Sequence, residues 1–156
     1  MNTQVATQES KEFVAAKLPI DRELIKSRRL LDMIELVEVC RAPDGQRTVW
    51  QMLVDAGAEI DHIVYRDVED DRSGVRLPAL QFRINTSKMT GFLILEDDPA
   101  ERAFRILAQD EKVNGSIAKT VVERVFTNTL AARLASLIDD GTRRWNEEVG
   151  RLIIKQ

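Results

Sequence analysis

The 156-residue sequence predicts a single α+β domain: N-terminal helices, a three-stranded antiparallel meander, and a C-terminal set of helices including a long helix and a helical hairpin. Three observations lead there. Apolar residues from Asp21 to Cys40 recur at three- and four-residue steps. The period then drops to two in "LQFRIN" (Leu80 to Asn85). A spacing of four finally dominates from Ala118 to Ile138.

Residues 1–20 are expected to form a flexible N-terminal arm, because the first ten are polar and aperiodic and Pro19 interrupts any helix begun by "KEFVAAKL". The folded domain is then 21–156. Its first helix runs from Asp21, a capping residue type, to Cys40, burying Leu24, Leu30, Met33, Ile34, Leu36, Val37 and Cys40. "APDGQ" ends it, since Pro43 restricts its predecessor and Asp-Gly favours a tight turn. A shorter helix, Thr48 to Ala56, buries Val49, Met52, Leu53 and Ala56 and stops at Gly57.

"EIDHIVYRDV" (Glu59 to Val68) is rich in β-branched and aromatic residues and predicts the first strand; "LQFRIN" and "GFLIL" supply the second and third. Polar turns, "EDDRSG" and "TSKMTG", join them, which makes a meander the simplest topology. After "GFLIL", Asp98-Pro99-Ala100-Glu101 fits a capping box, predicting a helix that carries Phe104 and Leu107.

Beyond "NGS" (Asn114 to Ser116), the stripe Ala118, Val122, Phe126, Leu130, Leu134 and Ile138 predicts one helix of about 23 residues, roughly 34 Å long at 1.5 Å per residue. "DDGT" breaks it, with Gly141 as stop and Thr142 as the next cap, and Trp145, Val149, Leu152 and Ile153 face a final helix. The long helix is apolar on more than one side, so its surplus surface needs a second cover. Val121, Val122, Val125, Phe126, Leu130 and Leu134 are the candidate interface residues, and a two-fold homodimer through the C-terminal helices is the expected use.

Composition narrows function mainly by exclusion. A net charge of −3 and a pI near 5.3 argue against a general attraction for nucleic acid or anionic membrane. No stretch reaches the roughly 20 apolar residues of a membrane span, and the N-terminus lacks a signal-peptide pattern. One cysteine, Cys40 on an apolar helix face, fits a packed thiol and a reducing compartment, so a soluble cytoplasmic protein is expected. The single histidine, His62, excludes two-histidine metal sites and catalytic imidazole pairs. The seven glycines are scattered without GxxxxGK or GxGxxG. No catalytic residue, cofactor or metal is therefore expected.

Two acidic clusters invite comparison with metal sites. "FLILEDDP" resembles the first strand and acidic pair of response-regulator receiver domains over eight residues. That family opens on the pair and continues through alternating strands and helices, whereas here 90 residues come before Gly91 and no later strand carries the required lysine. "DVEDDRSG" places Arg72 where a calcium loop needs glycine. A helix start and a hairpin turn account for the two clusters better.

The expectation for function is a small non-enzymatic protein-binding domain of adaptor or chaperone-like kind, homodimeric, with a protein partner; it is similar in size and helix-strand mixture to small acidic secretion chaperones. The alternative is a DNA-associated regulator. Residues 113–156 carry 7 basic and 5 acidic side chains, against 9 and 14 in 43–112, and "LAQDEKVNGSIAKTVVERVF" can be read as a helix-turn-helix.

Overall fold

The computed structural model describes residues 14–68 and 76–155, with side chains described up to Leu152. Helices at both ends of the chain flank a five-stranded antiparallel sheet of strand order β1-β2-β3-β4-β5. In chain order the elements are α1 (Arg28–Val39), α2 (Val49–Asp55), β1 (Val64–Arg66), β2 (Ala79–Asn85), β3 (Thr90–Asp98), β4 (Ala103–Glu111), β5 (Ile117–Val125), α3 (Leu130–Ile138) and α4 (Trp145–Lys155).

The N-terminal half follows local rules. Asp21 caps a short 3-10 turn, Arg22–Leu24, rather than the main helix. Ser27 starts α1 by accepting the Leu30 N–H at 3.2 Å, and Asp67 accepts the Lys26 and Ser27 N–H groups at 2.9 Å each, tying that start to the chain beyond β1. Thr48 and Gln51 form a reciprocal capping box at the start of α2. Past its end, Gly57 sits at φ +122°, where a Cβ would stand 2.8 Å from the Asn85 nitrogen. Only glycine therefore lets α2 press onto the end of β2.

Of the arm expected over 1–20, residues 1–13 lie outside the described residues, and the remainder is packed. Ala15, Leu18 and Ile20 are buried. The Leu18 N–H reaches the Glu38 carboxylate at 2.6 Å, Arg22 pairs with the same carboxylate, and Trp50 Nε1 donates to the Ala15 carbonyl at 2.9 Å. The polar turn "EDDRSG" also lies outside the described residues.

The three-stranded meander and the long helix are both corrected. Asp98 does cap, accepting the Ala100 and Glu101 N–H groups at 3.1 and 3.4 Å, but it caps a reverse turn instead of a helix. The chain turns through Arg102 at φ +53° into β4, which pairs with β3 from Asp98↔Ala103 to Gly91↔Asp110. An aspartate bonding two residues on is chemistry that turns and helix starts share. "AFRILAQ" in turn places Phe104, Ile106 and Ala108 on one strand face.

The expected helix Ser116 to Ile138 is instead strand β5, a turn, and α3. Its spacing-four stripe misled because four is both close to a helical turn and a multiple of the strand period of two. The β-branched residues Ile117, Thr120, Val121, Val122 and Val125 favour the extended form over that stretch. The stretch weighed as a helix-turn-helix is accordingly the β4–β5 hairpin, turning at Lys112 to Ser116 with Gly115 at φ +86°. The two C-terminal helices each pack against α2 more than against one another, which replaces the expected helical hairpin.

Alternation along the sheet sets one core. Leu80, Phe82, Ile84, Leu93, Leu95, Ile106 and Ala108 face the helices and join Leu30, Ile34, Trp50, Leu53, Leu130, Leu134 and Ile138 in one buried cluster. Trp50 meets Phe82 with ring centroids 6.3 Å apart, in the tilted arrangement aromatic pairs favour. No described helix is long and apolar enough to cross a membrane.

Candidate functional site

The helices occupy one face of the sheet, and the other face carries the candidate site. Strand alternation sends Gln81, Ile94, Leu107 and Val121 away from the helical core, and the register aligns them: Val64↔Gln81, Gln81↔Ile94, Ile94↔Leu107 and Leu107↔Val121. The result is a single row across all five strands, apolar except at Gln81. Ile94 and Leu107 are half-buried, whereas Val64 and Val121 at its ends are 49% and 52% exposed. None of these belongs to the buried cluster beneath the helices.

Charged rows border it. On one side Arg66, Ala79, Glu96 and Arg105 stand in register, and Glu96 accepts from Arg105 Nε at 2.9 Å and from Arg66 at 3.4 Å. The two arginine stems cover Glu96, which is only 6% exposed, and its bond raises the Arg105 pKa above the ordinary guanidinium value. On the other side Arg83, Phe92, Gln109 and Lys119 align. An apolar stripe with ion-paired charge along one border and polar and aromatic side chains along the other has the layout of a protein-contact patch. A shallow hollow of about 200 Å³ opens on it between Val64, Arg66, Ala79 and Ile94.

The edge strand β5 extends the same surface. Seven of its nine residues are exposed, with only Val122 half-buried and Val125 buried. Among the described residues its one sheet neighbour is β4. A bulge between Phe104 and Ile106 places Glu123 and Arg124 opposite Arg105, and Arg124 takes φ +58° there.

The six sequence candidates for an interface divide accordingly. Val125, Leu130 and Leu134 are core residues, 1%, 0% and 1% exposed. Val122 leans on the core from β5, and only Val121 and Phe126, 45% exposed, remain at the surface. Sequence reasoning missed Ile94 and Leu107, whose signal was strand alternation in "FLILEDD" and "AFRILAQ", and Val64, whose outward place follows only from its pairing with Gln81.

The acidic corner separates by the same alternation. Glu96 points outward to its arginines, Asp97 points inward to Arg29 of α1 at 3.6 Å, and Asp98 closes the turn. Burial raises the Asp97 pKa, with Arg29 opposing. His62 is exposed ahead of β1, not within a strand, and Cys40 is half-buried just past the end of α1 rather than on its apolar face, where partial burial raises its thiol pKa.

A second polar cluster joins α2 to the C-terminal helices. Arg47 donates to Asp44 at 2.6 Å, Asp55 at 3.0 Å and Asp139 at 2.8 Å. Burial works to lower its pKa, but the three carboxylates outweigh it and the net shift is upward. Asp55, 1% exposed, also accepts the Arg144 and Trp145 N–H groups and so starts α4 from outside that helix, a role the sequence reading gave to Thr142. An open hollow of about 460 Å³ adjoins Gln51, Arg143, Trp145 and Asn146. With Arg47 saturated by its own carboxylates, this cluster holds helices together.

No family model matches the chain, and no curated protein or solved structure matches it either.

Proposed function

We propose that the protein is a small non-enzymatic protein-binding domain of adaptor or chaperone-like kind, which acts as a homodimer and offers its open sheet face to a protein partner. The observation that carries this reading is the row Val64–Gln81–Ile94–Leu107–Val121, unshielded by the helices and bordered on one side by ion-paired charge. Apolar side chains on an exposed sheet face cost solubility unless they are covered in use, and a flat strip with charged rims suits another polypeptide better than a small molecule. Leu130 and Leu134 are used up in the core, so the dimer contact in this proposal moves from the C-terminal helices to the sheet.

The test is a parallel affinity purification of the tagged full chain and its Leu107→Arg variant, with circular dichroism to establish equal folding. Leu107 faces outward, so the variant keeps its core. The reading predicts at least one protein recovered stoichiometrically with the parent chain and lost with the variant. Identical recovery from both would contradict it.

A further inference from the structure

Resting on the homodimer reading above, we infer that two copies join by antiparallel pairing of β5 with β5 about a two-fold axis at Val121, giving a continuous ten-stranded sheet. An edge strand offers unpaired N–H and C=O groups along its free side, and β5 is long, exposed and rich in β-branched residues. Natural edges are blunted by brevity, charge, proline, bulges or cover. β1 is only three residues long, whereas β5 carries its bulge near one end and leaves Ile117 to Val122 in regular register with β4. Pairing β5 with β1 of another copy would be heterologous and open-ended, whereas pairing β5 with itself closes at two.

The charges select the register. On the outer face of β5, Lys119 and Glu123 flank Val121 symmetrically, two residues to either side. A two-fold at Val121 sets each Lys119 opposite Glu123 of the other copy and Val121 opposite its equivalent. A two-fold at Thr120 would oppose Lys119 to Val121 and Ile117 to Glu123, and one at Lys119 would oppose the two lysines. Among the described residues Lys119 stands in no ion pair, and Glu123 feels Arg105 across the bulge without a close ion pair, so both can still meet a charge from a second copy. The bulge at Glu123–Arg124 ends the regular register after Val122, so the new pairing runs from Lys119 only as far as the first bulge residue, Glu123. Pairing at Val121 also joins the apolar rows, so Leu107–Val121 of one copy runs into Val121–Leu107 of the next and doubles the binding face.

The test uses two full-length variants, Lys119→Glu and Glu123→Lys, studied by sedimentation velocity alone and as an equimolar mixture. Each variant alone faces like charge with like at two symmetric positions and should dimerise about tenfold more weakly than the parent. Mixed, the two restore opposite charges at both positions and should form a heterodimer of parental strength. If the parent dimerises but the mixture is no stronger than the separate variants, the β5 register is wrong while the homodimer reading stands. A parent chain that stays monomeric at all concentrations would overturn both.

Discussion

The Asp55 carboxylate accepts the backbone N–H of Trp145 at 2.8 Å, across 90 residues of sequence. One buried side chain of α2 thereby supplies the cap that starts α4, and its other oxygen holds Arg47 at 3.0 Å. Removing it strips a helix start of its acceptor and leaves a guanidinium short of a partner. Asp55→Ala should lower stability by about 3–5 kcal/mol in urea titration, and Asp55→Asn, which keeps an oxygen for the helix, by about 1–3 kcal/mol. Equal costs would show that charge, not capping, is the whole of its role.

The two faces of β3 give a second test within neighbouring residues. Leu93 and Leu95 are fully buried under the helices, while Ile94 points to the open face. Leu95→Ala should cost about 2–5 kcal/mol, and Ile94→Ala under about 1.5 kcal/mol. The ordering of the two melting temperatures checks the face assignment directly.

Gly91 sits in β3 where a side chain would run into β4. At φ +152°, a Cβ on it would stand 1.9 Å from the Gln109 carbonyl oxygen, so the backbone of β4 must move to admit any side chain. Gly91→Ala should destabilise by roughly 2–5 kcal/mol. Gly115→Ala has open space around it and should cost only about 1–2 kcal/mol for its left-handed turn conformation. Comparable losses at both sites would contradict the clash with the Gln109 carbonyl.

Acid should loosen the junction between α2 and the C-terminal helices. Burial pushes the Asp139 pKa up, but bonds from Arg47 and the Gly141 N–H outweigh it, and the net shift is downward. A carboxyl lowered in the folded state stabilises when ionised; that contribution is whole above its ordinary value of 3.8 and is lost as pH falls through the folded one. Urea midpoints of Asp139→Asn should therefore fall less than those of the parent between about pH 5 and pH 2. Parallel profiles would contradict the linkage.

Helix α2, the strand character of β2 and β3, and the turn positions at Asp44, Asn114 and Gly141 were legible because each depends on near neighbours: a capping box, a period of two, or an Asx or glycine turn. The errors lie where one local pattern serves two structures. Asp98 caps a turn as readily as a helix, and the stripe Ala118–Val122–Phe126 satisfies both periods. A helical reading of β4 and β5 hides the open face, since Leu107 and Val121 acquire meaning only as cross-strand neighbours. The trans cap of α4 by Asp55 had no local signal at all.

Association through the sheet edge is best tested by amide hydrogen exchange of the full chain at two concentrations, one well below and one well above dimer formation. Exchange at the N–H groups of Lys119 to Glu123 that β4 leaves unpaired should slow several-fold on dimerisation, with α3 and α4 unchanged. New protection confined to α3 and α4, with β5 exchanging equally at both concentrations, would contradict the account.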